Sequence, residues 1–218
     1  MSLLRLDPES SLARWRNAAP QPLVVSLGRA LGLGCLGFTG LSLAVFATWA
    51  FGGRFLYGNF GELGAYGVWC VLFLLGAGLM RPALTGPIGW GPFYGLFLGS
   101  FLAYAILWTV AWMALHNRLG EWLGTGLGMA GMALVLCASF RAWKAFLPSF
   151  GALFVGNALG YFVGSWLHAN TASPWAQLLW GLSYGVGTGL GMGAAYYFCQ
   201  APLRRLIEAG AGEAAASS

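Results

Sequence analysis

Charge is what this chain has least of: Asp, Glu, Lys and Arg make up 8% of its 218 residues, against a hydrophobic share of 58%. A soluble domain of this length cannot cover its surface with so few charges, so the sequence reads as that of a membrane protein. Acidic residues are the scarcest. Asp7, Glu9, Glu62, Glu121, Glu208 and Glu213 all lie outside the apolar runs or at their ends. No buried carboxylate is therefore available for a proton-coupled pump. Cys35, Cys70, Cys137 and Cys199 lie in four different apolar runs without CxxC spacing and read as small core residues. No N-x-Ser/Thr acceptor occurs. No cleavable leader is expected, because about 26 residues carrying three arginines precede the first apolar run and no A-x-A site follows it cleanly.

What is present is apolar length. A hydrocarbon core of about 30 Å takes about 20 helical residues. Runs of that order recur near 27–51, 60–80, 91–115, 121–140, 146–168 and 174–199. Backbone groups in lipid must be paired internally, and the alternation of a β-barrel is missing, so the expected fold is all-α with six transmembrane helices. With an even number of spans, one side collects Arg5, Arg14, Arg16, Arg29, Arg81, Arg141, Lys144, Arg204 and Arg205, and the other only Arg54 and Arg118. That asymmetry predicts both termini in the cytoplasm, as for a bacterial inner-membrane protein. The net charge of +5 is then a topology signal and implies no nucleic-acid partner. The expected organisation is a cytoplasmic N-terminal segment, 1–26, with an interfacial amphipathic helix over 8–19 capped by Asp7. A six-helix domain, 27–200, and a partly disordered cytoplasmic tail, 201–218, follow.

The stretch LFLGSFLAY, 96–104, returns as LFVGNALGY, 153–161. The turns GNFGE (58–62) and HNRLGE (116–121) also correspond, while HANTASP (168–174) keeps His and Asn but loses the glutamate. These echoes predict three tandem helical hairpins of parallel topology. Glycine is abundant, with 35 in the chain, and clusters in GLGTGLG-like runs of the fourth and sixth spans. Such helices let backbones approach closely, within the chain or against a membrane-protein partner or second copy.

Two GxGxxG matches, GLGCLG (32–37) and GLGMAG (126–131), lack the preceding strand and the later acidic residue that a dinucleotide fold requires. GLSYG, 181–185, superficially resembles the serine motif of rhomboid-type intramembrane proteases. The GxSG spacing is not kept, however, and no histidine follows Ser183. The three-hairpin plan is similar to that of acid-gated urea channels, and the span count to the substrate-binding subunits of energy-coupling-factor transporters. The termini and the remaining spans fail to match the urea channels, and the second likeness is confined to the span count.

Three groups of residues remain as candidates. Asn157, Ser100, Tyr104, Tyr161, Ser183 and Thr188 fall near the middle of the spans and could line a solute pathway or bond helix to helix. Glu62, Glu121, Arg118, Asn117, His116 and His168 fall on the side opposite the arginines, as a polar ring or as helix caps. His116 and His168 are the only histidines and the weak candidates for a metal or haem. No motif calls for a cofactor. Three functions stay open: a channel or facilitative transporter for a small solute, a non-catalytic membrane subunit or scaffold, and a haem- or metal-binding protein using the two histidines.

Overall fold

The computed structural model describes residues 4–20, 22–171, 173 and 175–216, the last six of these as backbone only. It is all-α: α1 (Pro8–Arg16), α2 (Leu27–Ala77), α3 (Trp90–Leu115), α4 (Arg118–Phe140), α5 (Phe146–Asn170), α6 (Trp175–Cys199) and α7 (Ala201–Ala216). Short 3-10 turns, Gly78–Ala83 and Trp143–Ala145, follow α2 and precede α5.

Four stretches are long and apolar enough to cross a membrane: 27–83, 90–115, 118–140 and 143–170. They differ from the six expected spans in two places. The first stretch contains two expected spans, but residues 52–59 are helical instead of forming a loop. Asn59 donates to the Phe55 carbonyl at 2.8 Å and so supports the helix, and the chain reverses only at Gly61. Its φ of 66° and ψ of −172° belong to a region open essentially to glycine. The two arms, 27–60 and 62–77, then fold back on each other, with Phe38 against Phe73 and Tyr57 against Trp69. The second difference is α6, which has 25 residues but is diluted by glycine, tyrosine and tryptophan, and does not reach the hydropathy of the other four.

That dilution has a structural reason. In α6 only Trp175, Leu182 and Leu190 are exposed, because α5 and the first arm of α2 enclose it. A Cβ on Gly187 would collide with the Gly156 carbonyl oxygen, and one on Gly189 would sit 2.6 Å from the Gly34 carbonyl. The backbones can touch only because those side chains are absent. Ser42 locks the same face by donating to the Gly181 carbonyl at 2.8 Å. Helix α4 uses glycine likewise, placing Gly124 and Gly128 against Trp108 and Tyr104 of α3. Contacts therefore run from the second arm of α2 through its first arm, α6, α5 and α4 to α3. Phe73 closes the circuit, with its ring centroid 5.3 Å from Phe97 and 4.8 Å from Phe101.

Strand-free antiparallel alternation puts Arg81, Arg141, Lys144 and Arg204 near one end and His116 and His168 near the other; we call these the arginine end and the histidine end. The arginine end is tied across the chain. The Gln200 amide accepts from the Thr85 N–H at 2.8 Å and donates to the Thr85 carbonyl at 3.1 Å, while the Thr85 hydroxyl accepts from the Val25 N–H at 3.2 Å. Helix α1 is capped as expected, Asp7 accepting from the Ser10 N–H at 3.0 Å. Burial pushes the Asp7 carboxyl up, but bonds from Ser10 and its own N–H, with Arg141 nearby, hold it below its ordinary value. Helix α1 packs on α7, and Leu6 beside it enters the core. The tail expected to be partly disordered is helical through Ala216, in keeping with the high helix propensity of its alanines. Of the third expected turn, Ala172 and Pro174 lie outside the described residues.

Candidate functional site

The six midplane candidates separate into two kinds. Asn157 on α5 is fully buried and donates to the Tyr184 hydroxyl at 3.4 Å and the Thr188 hydroxyl at 3.3 Å, both on α6. Tyr104 of α3 adds its side chain to this group, interacting with Tyr184 and Asn157. The cluster thus joins α3, α5 and α6 through four polar side chains. Among the described residues the Asn157 carbonyl oxygen has no partner. Hydroxyls both donate and accept, so turning the amide round would satisfy the oxygen and leave the NH2 group unpaired instead. One end of a buried amide is left free in either orientation, at a cost of about 1–3 kcal/mol.

The other three candidates do not join it. Ser100 is buried, but its hydroxyl bonds back to the Phe97 carbonyl of its own helix at 2.9 Å. Ser183 lies at the α5–α6 contact, its carbonyl 2.7 Å from where a Cβ on Gly160 would stand. Tyr161 faces Trp108 and Trp180, at 6.3 and 5.9 Å between ring centroids.

In front of the cluster is open space. A cleft of about 250 Å³ is lined by Phe46, Tyr104, Trp108, Tyr161, Trp180 and Tyr184. It shares Tyr104, Ala105 and Tyr184 with a space of about 380 Å³ that passes between the second arm of α2 and α3, along Trp69, Cys70, Phe73 and Phe101. A third hollow of about 310 Å³, bounded by Trp49, Tyr57, Tyr66 and Trp69, adjoins both. The three form one aromatic cleft whose walls carry Tyr57, Tyr66, Tyr104, Tyr161 and Tyr184, with Asn157 and Thr188 hydrogen-bonded to each other beside Tyr184. Toward the arginine end the ring is filled by Phe93, Met129, Met132, Leu136, Met192 and Tyr196, all fully buried.

Tyr184 is the member of this site that the sequence reading missed. It precedes Thr188 by four residues, so both lie on one helical face, and that spacing was the available signal. Trp180 is one further turn back on the same face, which carries the cleft wall toward the histidine end.

The expected polar ring is resolved into local pairs. Asn117 caps α4 by accepting from the Gly120 N–H at 3.0 Å. Arg118 meets Glu121 at 3.2 Å, and Glu62 accepts from the Tyr66 hydroxyl at 3.3 Å. His116 ends α3 in a left-handed conformation, exposed beside Trp112. His168 sits between Trp49 and Trp180, with centroids at 6.0 and 5.2 Å and its Nδ1 buried without a partner among the described residues. Each histidine thus has its own tryptophans. Among the described residues no group of three His, Cys, Asp or Glu side chains is placed to hold a metal ion.

No family model, no curated protein and no solved structure matches this chain.

Proposed function

We propose that the chain crosses a membrane as six helical arms, with the arginine end in the cytoplasm, and passes a small uncharged solute by facilitated transport. One observation carries this reading: the aromatic cleft ends at a buried amide with an unpaired end. A solute bearing a hydroxyl or amide would exchange hydrogen bonds with Tyr104 and Tyr184, while its apolar part lies against Trp108, Trp180 and Phe46. Asn157 orients Tyr184 from behind and supplies the free polar valence. Transport is downhill, because no carboxylate lies within the spans to couple it to protons. A carrier is favoured over a permanently open pore by the packed side chains between the cleft and the arginine end, which have to rearrange for each passage. The excess of arginine at one end supports the orientation and a bacterial inner-membrane location.

The test is flux into proteoliposomes of uncharged probes graded from urea and glycerol to phenol. Wild-type protein is expected to speed at least one probe above empty vesicles. Asn157→Leu is expected to cut that rate about tenfold, the equivalent of one hydrogen bond, while leaving the unfolding temperature within a few degrees. No flux for any probe, or flux indifferent to Asn157→Leu, would sink the proposal.

A further inference from the structure

At the arginine end a separate cavity of about 460 Å³ opens where α4 turns into α5 and α6 into α7. Arg141, Lys144 and Arg205 line it, and Pro148, Phe198 and Pro202 form its apolar floor. We propose that this cavity is a binding site for a phosphate-bearing anion at the membrane surface, independent of the aromatic cleft.

The first support is the state of the three cations. Other arginines of this end are engaged by the chain: Arg14 donates to the Arg5 carbonyl, Arg81 to the Ile88 carbonyl and Arg204 to the Tyr197 carbonyl, at 2.7, 2.7 and 2.6 Å. Arg141, Lys144 and Arg205 have no side-chain hydrogen bond or ion pair among the described residues, where the one ion pair is Arg118–Glu121 at the opposite end. No carboxylate lines the cavity; Asp7 acts on Arg141 only through space. Arg5, Arg16 and Arg29 make no side-chain hydrogen bond or ion pair among the described residues either, but none of them lines this cavity.

Helix geometry adds to this charge. The cavity wall includes Ala145 and Pro148 at the start of α5 and Ala201 and Pro202 at the start of α7. Helix α5 begins without a side-chain cap; its Phe146 N–H goes to the Trp143 carbonyl and Pro148 has none, so what this helix start adds at the cavity is the positive end of its dipole. Arg141 also complements the C-terminus of α4, which accounts for that residue alone and not for the convergence of Lys144 and Arg205. Position supplies the third support. The cavity lies between the end of one membrane-crossing stretch, 118–140, and the start of the next, 143–170, with Trp143 60% exposed beside it. That is headgroup depth, where phosphate stands above acyl chains, and the apolar floor suits the glycerol and first methylenes beneath it.

The test uses the full chain in mild detergent and in nanodiscs, with lipid retention measured by native mass spectrometry. Phosphatidylglycerol is expected to stay bound in preference to phosphatidylcholine. Arg141→Gln, Lys144→Gln and Arg205→Gln combined should weaken that retention about 100-fold, at about fivefold per cation. A control with Arg5→Gln, Arg16→Gln and Arg29→Gln removes the same charge from the same end and should change it less than about threefold. Displacement by excess inorganic phosphate would identify free phosphate as the occupant, and retention against it the lipid headgroup; both keep the site. Equal loss in the two triple variants, no loss in the first, or equal retention of phosphatidylcholine would overturn it. If the first triple variant does not stay monodisperse, the single Lys144→Gln and Arg205→Gln proteins carry the test, each expected to lose about fivefold.

Discussion

The two sides of α6 and the two sides of α3 show opposite ways of packing a helix in an apolar solvent. Around α6, glycine has removed the side chains, and backbone meets backbone along Gly34, Gly189 and Gly193 on one flank and Gly156, Gly160 and Gly187 on the other. Between α3 and the second arm of α2 the opposite holds: large rings meet only at Phe73, Phe97 and Phe101, and the helices otherwise barely touch. The first arrangement leaves no volume to fill. The second leaves an aromatic cleft, because bulky rings touch at a few points and hold the backbones apart. In a bilayer, where lipid tails are as apolar as the rings, nothing squeezes such a gap shut.

The largest effect expected comes from exchanging these rules. Gly187→Val puts a branched side chain onto the Gly156 carbonyl and the Gly160 backbone, neither of which can rotate away. It should cost about 3 kcal/mol or more and yield little folded protein. Ala105→Leu makes a similar addition on the cleft wall, where the residue is exposed, and should shift stability by no more than about 0.5 kcal/mol. Thermal unfolding in detergent measures both. Equal destabilisation would erase the distinction between a welded and an open side.

A second substitution sharpens the comparison at the point where the open side is built. Gly61 is what lets the second arm of α2 return toward α3, and a Cβ there would meet nothing within 4 Å. Gly61→Ala therefore tests backbone conformation alone. The expected cost is about 1–3 kcal/mol, read again as unfolding temperature, with looser packing of the second arm visible as faster proteolysis or hydrogen exchange over 62–77. Unchanged stability would mean that the reversal does not depend on the left-handed glycine.

How much of this was legible depends on the kind of signal. An all-α fold with helices long and apolar enough to cross a membrane was plain in the 8% charge and the apolar runs, since nearly every residue contributes to it. Six apolar runs are legible as well, but four stretches stand clear by hydropathy alone, because glycine lowers the mean of α6 and a single residue, Gly61, divides the continuous helical stretch 27–83. Asn157 and Thr188 were singled out as rare polar residues, and they do meet. Ser100 was singled out for the same reason but satisfies itself within its own turn, an option that a hydroxyl has in a helix and that sequence leaves undecided. Tyr184 shares a helical face with Thr188 by its four-residue spacing, a signal that places the tyrosine beside Thr188 without naming Asn157 as its partner. Gln200 is the same case, since its bonds to Thr85 cross 115 positions.

The smallest effect is one of access, without any change in stability. The chain carries a cysteine in each region: Cys70 is exposed on the cleft wall, whereas Cys137 and Cys199 are buried together, their sulfurs 3.8 Å apart beside Ser149. A thiol reacts as its thiolate and only where a reagent can reach it. In a Cys35→Ala background, a small neutral maleimide should therefore modify one site, Cys70, in the folded protein, and the other two only after denaturation, as counted by intact mass. Any probe that occupies the cleft should slow the Cys70 reaction, and Ala105→Leu should slow it too by narrowing the same space. Modification of Cys137 at the rate of Cys70 would show that the close-packed core around α6 opens as readily as the aromatic cleft. The difference in packing would then be no difference in dynamics.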